Sequence, residues 1–382
     1  MKSRLIIIVA LVAAIIQNMA AQSPREQISA LKQIYELADS VAPVAKDDPS
    51  YWKQALLMGK FDPYDTTIVY PKFMDLCLKT YRWGDKLFNS YDSTYVVSPG
   101  TNWKVMAKAD CWFDTYSSDF KDPDLHVLIN SNPALNTGLR VSFMAVGVEY
   151  MPDIGRLFSG DESRHQQTKF SFTCSRISAE LYYNRNDGAT YINRFGDRHT
   201  KMIKEKFYGL ERTTWGLDAF YFFNNRKYAH AAAYCFSKIQ RKSAGTFILG
   251  FQYSDQDIDF DASQLPESMR QYMPDNYNRY ESCYRDYAIN VGYGYNWVFH
   301  HNWLFNVTVT PSLGIKRGKS DTINGSHTIM TANLRGRLAL VRHCGRFFYG
   351  FHGFFNGYTY RCKKYTMYNQ INDFTFTAGF RF

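Results

Sequence analysis

The apolar and polar positions of the last hundred residues alternate in twos. Tyr287, Ile289, Val291, Tyr293, Tyr295, Trp297 and Phe299 fall on one face, opposite Ala288, Asn290, Gly292, Gly294 and Asn296. After a short His300-His301-Asn302 turn, Trp303, Phe305, Val307, Val309, Pro311, Leu313 and Ile315 oppose Asn306, Thr308, Thr310, Ser312 and Gly314. Period two held for this long predicts strands about twice the usual soluble length. One face is apolar and aromatic, and the other is small or polar. A sandwich needs the reverse, because its inner face packs on a second sheet. An antiparallel transmembrane β-barrel, with lipid outside and a polar lumen, needs this arrangement. In the last strand Phe374, Phe376, Ala378, Phe380 and Phe382 alternate with Thr375, Thr377, Gly379 and Arg381. A terminal aromatic after such a row resembles the signal that outer-membrane barrels present to their assembly machinery. That machinery is therefore an expected partner of the Phe382 strand.

Earlier rows repeat the pattern. Trp103, Val105, Ala107, Ala109, Cys111 and Phe113 face outward, opposite Lys104, Lys108 and Asp110. Strands are expected over Gly138 to Tyr150 and over Lys169 to Tyr183, the latter with a bulge near Ser175-Arg176. Others are expected over Trp215 to Phe223, Tyr228 to Ser237, Phe247 to Tyr253, Met330 to Leu340 and Phe347 to Phe355. Both ends of a bacterial barrel lie on one side of the membrane, so the strand number must be even. These rows make eleven. The expectation is twelve, with ten as the alternative. Either Asp92 to Ser98 supplies the missing strand or the middle of the chain is divided wrongly.

Ahead of the barrel, residues 1–21 read as a secretory signal: Lys2 and Arg4, the apolar run Leu5 to Ile16, then small and polar residues before Gln22. That run is too short to span a bilayer as a helix, which takes about 20 residues. Ser23-Pro24-Arg25-Glu26 is a capping box opening an amphipathic helix that ends near Ala42. A second helix is expected between Phe73 and Phe88. Residues 22–100 thus form a short helical segment on the periplasmic side, and residues 101–382 the outer-membrane barrel.

Composition narrows the class. Aromatic residues make up 17% of the chain, yet mean hydropathy is −0.38. That suits a barrel, whose lipid face takes every second residue, and not a bundle of membrane helices. Formal charge is +10, and +8 once Lys2 and Arg4 leave with the signal. The basic residues are scattered, which excludes a nucleic-acid arm and favours outer-membrane lipid and lipopolysaccharide phosphates as partners. Cys77, Cys111, Cys174, Cys235, Cys283, Cys344 and Cys362 are odd in number and widely spaced, with no CxxC. They read as small apolar strand residues, with one or two bridges left open, and not as a metal set.

Two stretches carry a resemblance. Ile68 to Val96 reads IVYPKFMDLCLKTYRWGDKLFNSYDSTYV, and Asn224 to Ser254 contains an AA-x-x-x-F-S-x-x-Q-x-KSAG core. With the C-terminal pattern they resemble domain of unknown function 4421, an uncharacterised family of Bacteroides-type outer-membrane proteins, over about residues 68–382. The resemblance implies a barrel and no known activity, so it brings no catalytic residues.

Candidate chemistry is thin. An outer-membrane lipid A or phospholipid hydrolase or acyltransferase needs a Ser-His pair oriented by a third polar group. His230, Ser237, Ser243 and His352 are the candidates, but G-x-S-x-G is missing. Gln240, Lys242 and the inward Arg335 and Arg337 could favour anions in a small diffusion pore, or fill the lumen by pairing with Asp110, Asp218 or Glu180. Filling is favoured. Gly292 and Gly294 are expected to allow curvature or close ring packing. Asp255, Asp257, Asp259 and Asp261 alternate in a long outer loop but lack the glycine and glutamate of a Ca²⁺ loop. No catalytic, cofactor-binding or metal-binding residue is assigned. The reading is envelope structure or surface-glycan handling.

Overall fold

A computed structural model describes residues 64–382, apart from 122–123, 144, 153–164, 198, 200, 272–278, 301, 322–327 and 362–364, together with 46, 48, 51–52 and 55. The expected signal peptide and the helix from Ser23 to Ala42 lie outside the described residues. The chain divides into two compact units between Lys86 and Leu87. The helix expected between Phe73 and Phe88 is present as α1 (Lys72–Phe88). It begins after Pro71, whose missing N–H costs nothing at a helix start. Asp75 in its first turn and Lys86 in its last suit the helix dipole, and Asp75 pairs with Lys79 at 2.8 Å.

The second unit is β-rich. In chain order its elements are β1 (Val96–Val97), β2 (Trp103–Lys121), β3 (Asp124–Ser131), β4 (Ala134–Phe143), β5 (Val146–Pro152), β6 (His165–Thr173) and β7 (Ile177–Asn186). Then come β8 (Thr190–Gly196), β9 (Glu205–Phe207), β10 (Leu210–Phe222), the short helix α2 (His230–Tyr234), β11 (Ile239–Gln240) and β12 (Ala244–Asp261). After α3 (Glu267–Arg270) follow β13 (Arg279–Phe299), β14 (Trp303–Asp321), β15 (Thr328–Cys344), β16 (Phe347–Arg361) and β17 (Tyr365–Arg381). Twelve of these, β2, β4 to β7, β10 and β12 to β17, pair antiparallel in that order. β17 returns to β2, with Arg381 opposite Lys104 and Tyr365 opposite Phe120. The sheet closes on itself, so the barrel has no open edge.

The expected twelve is correct, but not by the expected route. Gly138 to Tyr150 is two strands, β4 and β5, turning between Phe143 and Val146. Lys169 to Tyr183 is also two strands, and the supposed bulge at Ser175-Arg176 is a tight turn between β6 and β7. Tyr228 to Ser237 is no strand: it forms α2 and the turns around it. Asp92 to Ser98 adds nothing to the barrel, since Val96–Val97 pairs only with Ile239–Gln240. The Asp255 to Arg285 loop is shorter than expected, because β12 runs to Asp261 and β13 begins at Arg279.

Exposure follows the alternation. Ile289, Leu313 and Phe347 are 61%, 68% and 62% exposed, while Asn290, Asn296 and Asn306 are fully buried. A protein surrounded by water has the opposite distribution. Trp103, Phe143, Phe299 and Trp303 ring the end of the barrel that also holds Phe382, here the near end. Tyr150, Tyr183, Trp215, Tyr253 and Tyr287 form a second ring, with Trp215–Tyr253 and Tyr253–Tyr287 centroids both 5.1 Å apart. From Tyr287 to Trp297 the chain advances about 26 Å along the axis, at ~3.4 Å per residue and ~40° tilt. That is the height of an apolar band between two aromatic girdles.

The ends differ. Turns at the near end are tight, with the left-handed conformations they need at His300, Asn302 and Gly345. Beyond the far girdle the strands continue, and β2 forks: its first half pairs β4 and its second half β3. β3, β8 and β9 leave the barrel as a leaf. Leu125, Val127, Ile129, Ile192, Phe195 and Phe207 of that leaf join Tyr116, Leu210, Leu265 and Met269 in one apolar core. Tyr116 on β2 and Leu210 on β10 lie five strands apart, so this core bridges the far opening.

Candidate functional site: the barrel lumen

The near half of the lumen is filled by the β10–β12 connection, which holds the AA-x-x-x-F-S and KSAG elements. Ala229, Ala232, Ala233 and Phe236 pack with Val96 against Met106, Leu304, Ala339, Val341 and Phe348 of the wall. Small wall residues make room for it. A Cβ on Gly294 would stand 2.9 Å from the Tyr228 hydroxyl, and one on Gly350 would stand 3.2 Å from the Phe236 ring. Gly294 and Gly350 thus make room for rings of the plug, whereas a Cβ on Gly292 would meet the Val309 carbonyl and Thr310 of the next strand. Phe236 has φ 55, a left-handed conformation that costs a large residue about 1–2 kcal/mol. Its ring stacks on Phe348 at 4.5 Å, which offsets part of that strain.

The plug's polar groups are bonded to the wall. At the end of α2, His352 Nε2 reaches the Ala233 carbonyl at 3.0 Å, Lys104 Nζ donates to Cys235 O at 3.0 Å, and Arg381 Nε donates to Phe236 O at 3.1 Å. Helix-end carbonyls lack partners of their own, and cations suit them. Arg381 also donates to Gly345 O at 3.1 Å and to His343 Nδ1 at 2.6 Å. Gln240 accepts from the Ala229 N–H at 3.0 Å and donates to the Lys227 and Lys242 carbonyls at 2.6 and 2.8 Å. Asn296 and Asn306 extend the network to Ala229, Tyr228 and Tyr234.

Charged groups occupy the middle of the lumen. Arg335 pairs with Asp218 at 2.8 Å, both side chains 4% exposed, so one of the expected filling pairs forms. Arg337 lies over the Phe220, Phe354 and Tyr234 rings at 5.5–5.9 Å. Asp110 accepts from Asn136 at 3.1 Å, and among the described residues it pairs with no arginine. Sequence reasoning missed Arg212–Asp114 at 2.7 Å and the Lys108–Glu149–Arg140 set at 2.8 and 3.3 Å. Inward parity in β2, β4, β5 and β10 was the signal that could have found them.

A lone partner in such a pair is worse than none. Asp218→Leu is expected to cost about 3–5 kcal/mol, leaving Arg335 charged and buried. The double variant Asp218→Leu/Arg335→Met should recover most of that loss. The temperature at which the folded band disappears on a gel measures both, and equal losses in single and double variants would refute the pairing.

The serine and histidine candidates do not assemble. His230 stacks on Phe222 at 4.8 Å and lies 4.6 Å from Tyr234, while His352 holds the Ala233 carbonyl. The Ser243 hydroxyl accepts from the Val298 N–H at 2.9 Å. Among the described residues, no side-chain hydrogen bond joins Ser237 or Ser243 to either histidine. The alternating aspartates lie in β12 and not in a loop. Asp255 pairs with Arg285 at 3.3 Å, Asp259 pairs with Arg279, and Asp261 caps a turn through the Ser263 N–H at 3.0 Å. Cys111, Cys174, Cys235 and Cys344 are free thiols. A depression lined by Ala107, Ala109, Leu139, Tyr150, Phe376 and Ala378 lies on the outer face.

A closed barrel of twelve strands, apolar outside and packed with plug and ion pairs inside, defines the class: a β-barrel of the outer-membrane type. The chain belongs to the family of the domain of unknown function DUF4421, whose model matches residues 90–382. That match contains the whole Asn224–Ser254 stretch but only the last residues of Ile68–Val96. No curated protein matches the sequence. Among solved structures, the outer membrane protease OmpT from Escherichia coli is 9% identical, with 76% of this chain and 100% of that one covered and a TM-score of 0.37. The P. putida toluene transporter TodX is 6% identical, with 74% and 90% covered and a TM-score of 0.23. A porin is 10% identical, with 73% and 100% covered and a TM-score of 0.27.

Proposed function

We propose that the protein is exported through its residue 1–21 signal, inserts in the outer membrane with the near end in the periplasm, and serves as a sealed structural barrel of the envelope. The outward row of exposed aliphatic and aromatic residues between two girdles carries this reading, because a band of this height and composition matches the lipid face of a membrane barrel. Tight turns at one end and long strands with a leaf at the other support the orientation, since periplasmic turns are short and outer loops long. Outer-membrane lipid and lipopolysaccharide then surround the barrel, and the assembly machinery reads the Phe382 strand. The leaf is the part available for surface glycan.

A sealed barrel does not conduct. Purified protein reconstituted in a planar bilayer is expected to give no channel current above baseline. Steady single-channel steps from the unaltered chain would replace this reading with a pore.

A further inference from the structure

The near mouth gathers an excess of positive charge. Residues 88–102 and 223–243 close that mouth, and they contain Arg226, Lys227, Lys238, Arg241 and Lys242 against a single acid, Asp92. Arg226, Lys227, Arg241 and Lys242 are exposed, and none of the four makes an ion pair among the described residues. They are held together by design of the local backbone. The Gln240 amide fixes the carbonyls of Lys227 and Lys242, Arg226 O accepts from the Asp92 N–H at 2.8 Å, and the Arg241 N–H donates to Tyr95 O at 2.6 Å. Lys227 and Lys242 lie over the same Tyr95 ring at 5.1 and 5.5 Å, and Lys238 lies over Tyr91 at 5.5 Å. Asp92 offsets one of these charges, since Lys227 and Lys242 lie close enough to favour its carboxylate, and an excess of positive charge remains. Its carboxylate accepts from the Thr94 hydroxyl at 2.8 Å and the Thr94 N–H at 2.9 Å, which hold it below the ordinary carboxylate range.

We propose that this mouth is a docking site for an acidic segment of another polypeptide. Unpaired like charges held this close repel one another, and a chain of carboxylates relieves that repulsion on binding. The patch lies on the plug, inside the ring of strands, whereas lipid headgroups meet the outer girdle. Sugars stack on bare aromatic faces, and here lysine ammoniums already cover Tyr91 and Tyr95. An acidic peptide is therefore the partner that the chemistry favours. That this partner is periplasmic rests on the orientation proposed above, but the binding itself does not.

The test uses the full chain in neutral detergent and a fluorescent oligoglutamate peptide. Binding is expected, weakening about tenfold between low and moderate salt as screening sets in. The variant R226Q/K227Q/R241Q/K242Q should lose at least tenfold in affinity while keeping its heat-dependent gel mobility, which shows the barrel intact. Neutralising Lys201, Lys204 and Lys206, near the far end, should leave binding unchanged. No binding by the unaltered chain, or equal binding by the two variants, overturns the proposal. So does a mouth variant that keeps the peptide yet loses sedimentation with anionic lipid vesicles or peptidoglycan. Failure of the orientation would appear separately, as labelling of this mouth from outside whole cells.

Discussion

Replacing residues 225–245 by an Asn-Gly turn is expected to turn a silent barrel into a conducting one. Phe223 and Phe247 already meet through a backbone hydrogen bond at 3.2 Å, so a two-residue turn can join β10 to β12 without disturbing their register. The excised segment carries Tyr228, three alanines of α2 and Phe236, all buried against the wall. Its loss removes on the order of 5 kcal/mol of apolar burial and leaves Asn296, Asn306 and His352 facing water. What remains at mid-lumen is polar and can hydrate. Channel steps should therefore appear in a planar bilayer where the full chain gives none. If the shortened barrel folds and stays silent, the ion-pair layer or the far-end core is the seal, and the plug's role is wrong.

The second large effect is expected at Arg381, a fully buried side chain in the last strand. It satisfies the Phe236 carbonyl of the plug, the Gly345 carbonyl of the β15–β16 turn and the His343 ring. Arg381→Met fills similar volume but leaves two acceptors, the Phe236 carbonyl and His343 Nδ1, buried without a donor, while the Gly345 carbonyl on its exposed turn is left to water. A cost of about 3–5 kcal/mol follows, or a fall of roughly 10 °C in the unfolding temperature. Arg381→Lys offers one ammonium in place of a fork of donors and should fall between. Gel-shift melting curves separate the three proteins. A neutral Arg381→Met would show that the plug needs no anchor from β17.

The long strands were legible because each has one face in lipid and one in the lumen, so every residue announces its side. β13 to β17 follow that rule with hardly a break. It fails inside the lumen, where both sides of a segment are buried. Tyr228, His230, Ala232, Tyr234 and Phe236 alternate like a strand, yet His230 to Tyr234 form a helix whose residues touch wall or plug all round. Turn chemistry was silent in two places. Cys174-Ser175-Arg176 contains neither glycine nor proline, and its turn is fixed instead by Ser175 N–H to Phe88 O and Phe222 N–H to Arg176 O. The chain between Phe143 and Val146 is equally plain. Those contacts come from distant residues, which a local pattern cannot show. The Arg335–Asp218 pair was half legible: parity placed both groups inward, but the partner depended on strand order.

One measurement tests the central claim, that this is a barrel built for a membrane. The detergent-purified protein is run on a gel with and without boiling, beside an outer-membrane fraction of cells that make it. The unboiled band should run faster, and the protein should be found with the outer membrane. A soluble periplasmic protein with one mobility would contradict the account, because Ile289, Leu313, Phe347 and their neighbours would then have to be covered by protein and not by lipid.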